Sequence, residues 1–360
     1  MKRIVHLGLG AFHRAHQAVY TQDAGGWEIT GVAQRSRATI DALRAQGHRY
    51  AVLERGPEDD TARVIDVVTD TLHAPTEAER LTALIASPET HVVTLTVTEA
   101  AYVSRSGPVE QLARGLEARD GPPLAVISCD NVPANGARLR ELLANRCDTS
   151  GADFPSTMVD RIVPAATDAD REIARRLTGL GDAPAVGEPF TQWVIEDAFR
   201  GERPAWDALF VDDTGPYELM KLRLLNAAHS ALAQLGLEAG HETVAQAVGD
   251  PELREFVERL LEEELAPTVG EVPGIDLADY RASLFERWTN PRIAHTLAQI
   301  ATGAEEKLAL RFVPPAEELL AEGREPRHIA RVIAAWGRAN AMSPAEAVAA
   351  LGGPPALASL

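Results

Sequence analysis

With 360 residues, 45% of them apolar and 24% charged, the chain has material for two domains and little room for extended disorder. Its formal charge of −18, from 53 acidic and 35 basic side chains, repels phosphate backbones and argues against nucleic acid as a partner, although a local basic cleft stays compatible with it. Two cysteines, Cys129 and Cys147, form no CxxC or Cys/His grouping, and no apolar run has the length of a signal peptide or a membrane span, so a cytoplasmic, metal-free protein without membrane contact is expected.

Along the first half, short apolar runs alternate with amphipathic stretches, the pattern of βαβ units around a parallel sheet. Strands are predicted over 3–7, 28–33, 91–97, 124–129 and 185–187. Two further β-rich pieces, 50–54 and 62–68, flank Gly56-Pro57-Glu58-Asp59-Asp60 and predict a hairpin inserted in the open sheet. From Tyr217 onward the alternation gives way to helical period over 217–235, 242–248, 251–265, 277–288, 292–301, 315–322 and 328–340. The turn formers of Val211-Asp212-Asp213-Thr214-Gly215-Pro216 mark the boundary. The expected fold is therefore α/β: a dinucleotide-binding domain over 1–215 and an all-helical substrate domain over 216–360.

The first strand runs straight into Gly8-Leu9-Gly10-Ala11-Phe12-His13-Arg14-Ala15-His16. Glycines at such a corner allow a tight turn and let a pyrophosphate approach the backbone. His13 stands where a third glycine is usual, so on this motif alone a plain strand-to-helix turn reads equally well. The second strand ends in Ala33-Gln34-Arg35-Ser36-Arg37, without the acid that would hold the ribose of NAD and with two arginines suited to a 2′-phosphate. NAD and NADP both stay open, and the arginines read equally as solvated charges opening a helix.

The segment Tyr217-Glu218-Leu219-Met220-Lys221-Leu222-Arg223-Leu224-Leu225-Asn226-Ala227-Ala228-His229-Ser230 is the most informative. On an α-helix Lys221, Asn226 and His229 fall within an arc of roughly 140°. A lysine kept from water can lose its proton and accept one from an alcohol, while an amide and an imidazole donate to the oxygen where charge develops. Spacing alone favours the ordinary alternative of a snorkelling lysine above core-satisfied Asn226 and His229. Ser128-Cys129-Asp130-Asn131-Val132-Pro133-Ala134-Asn135-Gly136 follows a predicted parallel strand at the end where ligands bind, yet Asp130 or Asn131 could equally cap a helix, with Asn135-Gly136 as a turn.

Together these segments resemble the polyol-specific long-chain dehydrogenases, the family of mannitol 2-dehydrogenase, fructuronate reductase and tagaturonate reductase. The resemblance is carried by residues 8–17, by Thr94-Leu95-Thr96-Val97-Thr98-Glu99, by Ser128-Cys129-Asp130-Asn131-Val132, by residues 154–162, by residues 188–197 and by the Lys221 helix, in that order. It implies a Rossmann-type N-terminal domain, a helical C-terminal domain and a cleft between them. It also implies a nicotinamide cofactor along Gly8, Gly10, Phe12, His13, Arg14, Arg35, Thr96, Thr98 and Glu99. Lys221 would be the base, Asn131 and Asn226 the oxyanion site, and His229 a substrate-placing group. Asp160, Arg161 and Lys307 would border the substrate.

The implied substrate is a sugar alcohol, ketose or uronate, with wording nearest the fructuronate reductase branch and a mannitol- or arabinitol-type polyol dehydrogenase as the alternative. A cofactor-binding sensor without turnover is a third reading, and the protein would be a monomer or a homo-oligomer. Thr302-Gly303-Ala304-Glu305-Glu306-Lys307 departs from the family's usual wording by its two glutamates, which would disfavour a uronate carboxylate unless Arg161, Lys307 or Arg311 outweighs them.

Overall fold

The structure is a computed structural model that describes residues 1–97, 107–293 and 295–360. The chain divides into two compact units, Met1–Gly215 and Pro216–Leu360.

In the first unit, strands β1 (Lys2–Leu7) and β2 (Trp27–Ala33) are followed by a hairpin of β3 (Tyr50–Arg55) and β4 (Asp60–Ile65), then by β5 (Val68–His73), β6 (Thr90–Leu95), β7 (Leu124–Ser128) and β8 (Ala152–Asp153). The parallel sheet runs β5-β2-β1-β6-β7-β8. Its central strands are buried because both faces are covered: Ile4, Ile29, Val92 and Ile127 enter one apolar cluster, while Val5, Val32, Val93 and Val126 enter the other. β1 and β6 lie side by side in the middle, so the corner after β1 stands at the C-terminal edge of the sheet, where open α/β sheets bind ligands.

Several expectations are corrected. The hairpin is real, but it lies outside the parallel sheet, joining β10 (Ala185–Gly187) in a three-stranded sheet of its own. Val68 belongs not to the hairpin but to β5, an edge strand that was not anticipated; Asp66 and Val67 interrupt the run between them. Strands β9 (Thr157–Asp160), β11 (Gln192–Glu196) and β12 (Leu209–Val211) form a third small sheet that was also missed, because each is too short to show a period. The helix expected after the glycine corner is broken at His16 into Ala11–Ala15 and Gln17–Ala24.

The second unit is all-helical. Its first long helix is Gly215–Met220, a π-helical turn Lys221–Asn226, and then Ala227–Glu238. The helix expected to start at Pro315 runs instead from Ala304 to Ala321, straight through Pro314 and Pro315. Interior prolines disfavour a helix by about 3 kcal/mol. Burial of Leu308, Phe312, Val313, Ala316 and Leu319 along this helix overrides that local cost. A short helix, Pro344–Ala350, opened by a capping box of Ser343 and Glu346, follows where little structure was anticipated. Among the described residues no helix is long and apolar enough to cross a membrane.

Candidate active site

Gly8 has φ +111°, and a β-carbon there would lie 2.0 Å from the Thr96 carbonyl oxygen. Only glycine lets the corner pass so close to the end of β6. The two strand ends are further tied by Thr96, whose N–H donates to Leu7 O at 2.9 Å and whose hydroxyl donates to Gly8 O at 2.8 Å. Gly10 is different: a β-carbon there would meet only Gly8 O, at 3.8 Å, so it faces open space. A glycine corner with one tight and one open glycine, at the C-terminal edge of a parallel sheet, fits the pyrophosphate of a nicotinamide dinucleotide.

His13, in the place of a third glycine, is fully buried and lies flat on His6, ring centroids 3.3 Å apart and planes inclined by 12°. His6 was not anticipated as part of the corner. Its Nδ1 meets the Thr94 hydroxyl at 2.7 Å, and its Nε2 meets Gly8 O and the Thr96 hydroxyl at 2.9 Å each. Burial pushes the His6 imidazole down to about 3 and that of His13 well below its ordinary value, so both rings are neutral at physiological pH. Phe12 is half-buried and stacks on His16 at 5.2 Å.

The remaining residues of the cofactor set divide. Arg35 is exposed just beyond β2, where its carbonyl receives His73 Nε2 at 3.1 Å. Arg14 is turned into the interior of the unit: its guanidinium donates to Ala183 O at 2.6 Å and lies over the Tyr50 ring. Thr98 and Glu99 lie outside the described residues.

Of the substrate set, Asp160 is buried at the end of β9, opposite Gln192. Arg161 is also buried, and its guanidinium serves Glu188 O at 3.0 and 2.8 Å, Glu54 at 2.6 Å and the carbonyl of Ala15. It thereby binds the end of the first helix to two sheets.

At the end of β7, Asn131 is exposed. Its neighbour Asp130 accepts Val97 N–H at 2.6 Å, which holds the ends of β6 and β7 together. Asn135 and Gly136 do not form a turn; they open the helix Asn135–Ala144, with the buried Asn135 amide bonded to Asp130 O and to both backbone groups of Thr157.

In the second unit Lys221 and Asn226 are the first and last residues of the π turn. Since π bonds run from i to i+5, residues five apart stand one turn above another, whereas an α-helix would set them roughly 140° apart. Lys221 is half-buried, as is Asn226. His229 follows in the α-helical part, 8% exposed, with its ring 5.5 Å from Trp288 and 5.2 Å from His295. Among the described residues its Nε2 has no hydrogen-bond partner. Burial, and then the charges or partial charges of His295, Arg287, Arg311 and Lys221, hold it well below its ordinary value, so it is a neutral imidazole.

Lys307 donates to Ile300 O at 3.0 Å and Thr302 O at 2.5 Å, closing the carbonyl end of the helix Leu297–Ala301. Arg311, four residues on, donates to Asn226 O at 2.9 Å and to the Ser230 hydroxyl at 2.7 Å. Among the described residues neither cation has a carboxylate within ion-pair distance, and burial lowers both, Arg311 to about 10. Glu305 and Glu306 are exposed. Arg311 is already weighed beside Lys307 in the sequence; the His6–His13 stack had no such signal, since it joins a strand to the helix that follows. Among the described residues no three His, Cys, Asp or Glu side chains gather in a group able to hold a metal ion.

A parallel-sheet unit with this glycine corner, followed by a helical unit with a lysine, an amide and a neutral imidazole on one helix, defines a dinucleotide-dependent oxidoreductase. Residues 2–208 match the family model of the mannitol dehydrogenase Rossmann domain, and residues 213–348 match that of the mannitol dehydrogenase C-terminal domain. D-mannonate oxidoreductase of Escherichia coli is 38% identical over 386 residues, covering 93% of this chain and 79% of that protein. Mannitol dehydrogenase 2 of Saccharomyces cerevisiae is 34% identical, covering 93% and 77%. The solved Pseudomonas fluorescens mannitol 2-dehydrogenase, a ternary complex with NAD and D-mannitol, superposes with a TM-score of 0.85 at 35% identity, covering 94% of this chain and 78% of the other. The chain belongs to the mannitol dehydrogenase family.

Proposed function

We propose that the chain is an NAD(P)-dependent dehydrogenase that interconverts a secondary alcohol and a ketone on a sugar acid of the mannonate and fructuronate kind, with Lys221 as a metal-independent general base. The observation that carries this reading is a pair of cations without acids. Lys307 and Arg311 are partly withdrawn from water in a protein of net charge −18, and among the described residues neither faces a carboxylate. Unneutralised cations at a substrate site favour an anionic ligand. The similarity to D-mannonate oxidoreductase supports the same substrate class.

In the oxidative direction neutral Lys221 takes the hydroxyl proton. Asn226 donates to the oxygen as negative charge grows there. His229, neutral and with Nε2 uncommitted among the described residues, bonds a substrate oxygen and fixes which carbon reacts. The bound nicotinamide supplies the hydride acceptor. Gly8 and Gly10 seat its pyrophosphate, and the His6–His13 stack and Thr96 keep that corner rigid. Phe12, Arg35, Thr98 and Glu99 complete the proposed cofactor set, whereas Arg14 and Arg161, committed to internal carbonyls, serve the fold of the first unit.

The test is oxidation of NADH and NADPH by the purified protein with fructuronate, tagaturonate, fructose and xylulose. Faster turnover of a uronate is expected, unchanged by EDTA. Turnover of the neutral ketoses alone would remove the sugar-acid assignment and favour the polyol reading, which the D-mannitol in the solved relative supports. Activity lost to EDTA and restored by zinc would remove the metal-free scheme.

A further inference from the structure

Arg311 reaches the exit of the proposed catalytic turn, while Arg223 within the turn is held by Glu318 of the helix that carries Arg311 and by the Thr268 carbonyl. Arg311 lies one helical turn after Lys307 on Ala304–Ala321 and crosses to the first long helix of the same unit. There Nη1 donates to two acceptors four residues apart, the carbonyl of Asn226 at 2.9 Å and the hydroxyl of Ser230 at 2.7 Å. Asn226 is the last residue of the π turn, and Ala227 begins the α-helix that carries Ser230. The guanidinium therefore bridges the junction between the two helical forms. Among the described residues its Nε is buried without a partner and no carboxylate balances its charge, so it contributes little to the core as an ordinary ion pair would.

A π turn closes a hydrogen-bonded ring one residue larger than that of the α-helix around it and is rare, so a contact at its end can bias the chain toward it. A charge-assisted donor on the carbonyl at the exit of the turn is such a contact. We propose that Arg311 is a positioning residue that holds the Lys221–Asn226 turn in its π form, so that the lysine and the amide address the same substrate oxygen. Without it the turn relaxes toward α geometry, and the two side chains swing apart around the helix. This rests on the reading of Lys221 as the base, but the state of the turn can be observed without any substrate.

The experiment pairs kinetics with hydrogen exchange on the full chain. Arg311→Gln is expected to lower kcat about 100-fold, as misplacement of a reacting group does. KM for the sugar-acid ketose should rise by much less than kcat falls, because Lys307 still offers its carboxylate a cation. Amide exchange over residues 221–230 should accelerate while nucleotide affinity and melting temperature hold. Arg311→Lys should be intermediate, and millimolar guanidinium should restore part of the kcat of Arg311→Gln. Should Arg311→Gln fail to fold, Ser230→Ala carries the test, with a smaller loss of kcat and the same acceleration of exchange.

Unchanged exchange, a kcat within about threefold of wild type, or a loss confined to KM would overturn the proposal. If the wild type turns over no ketose with either nucleotide while exchange still accelerates in Arg311→Gln, the clamp stands and the assigned function fails.

Discussion

The carbonyl oxygen of Thr96 occupies the space in which Gly8 would carry a β-carbon, 2.0 Å from that position. Gly8→Ala must therefore push β1 and β6 apart at their C-terminal ends, and it places an alanine at φ +111°. A destabilisation of at least about 2 kcal/mol is expected. Gly10→Ala meets only an oxygen at 3.8 Å and should leave stability nearly unchanged while weakening NADH binding at least about tenfold. Denaturant midpoints and a fluorescence titration separate the two. Equal effects of the two variants on stability would contradict the division of labour between the glycines.

Lys221→Ala should reduce kcat by about 10²- to 10⁴-fold, the range for loss of a positioned base, with nucleotide affinity retained. In the wild type, alcohol oxidation should rise with pH through an ionisation that is absent from the variant. If an in vivo or in vitro function survives Lys221→Ala while nucleotide still binds, the chain is a sensor and not a catalyst.

His229 buries a ring whose Nε2 has no partner among the described residues. A buried polar atom left unpaired costs about 1–3 kcal/mol, and an apolar replacement of similar shape removes that cost. His229→Leu is thus expected to melt at or above the wild-type temperature while kcat/KM falls about 100-fold. A variant that is less stable yet fully active would show that His229 serves packing alone.

Acid should destabilise the fold through its histidines. His6, His13 and His229 are all held below their ordinary value, foremost by burial, so the folded state binds fewer protons than the unfolded chain once the pH drops below about 6.5. Their contribution is complete above that pH and is lost progressively as the pH falls toward the value of about 3 held by His6. Urea midpoints measured between pH 7 and pH 4 should fall steadily. A flat profile across that window would mean the rings are not sequestered.

Arg35 and Arg37 are exposed beyond β2, Arg37 with Asp41 4.0 Å away. Replacing both by alanine should raise KM for NADPH about tenfold or more and change KM for NADH little, because only the former carries a 2′-phosphate. An equal change for the two nucleotides would show that neither arginine reads that group.

The sequence by itself determined the two units and the class of reaction, a dinucleotide-dependent oxidation or reduction. Apolar runs separated by amphipathic stretches are buried on both faces in a parallel sheet covered by helices, and the helical period after Tyr217 is buried in a helical unit. The glycine corner and the Lys221 helix were legible for a related reason: their residues act over one or two turns of local chain, so spacing carries the information.

Tertiary structure alone decided what depends on groups distant in sequence. It widened the Lys221 helix into a π turn, carried a helix through Pro314 and Pro315, and set His13 against His6. It also turned Arg14 and Arg161 to internal carbonyls and brought Arg311 onto the Asn226 carbonyl. Each of these is settled by burial and hydrogen bonding between segments whose meeting no local period encodes.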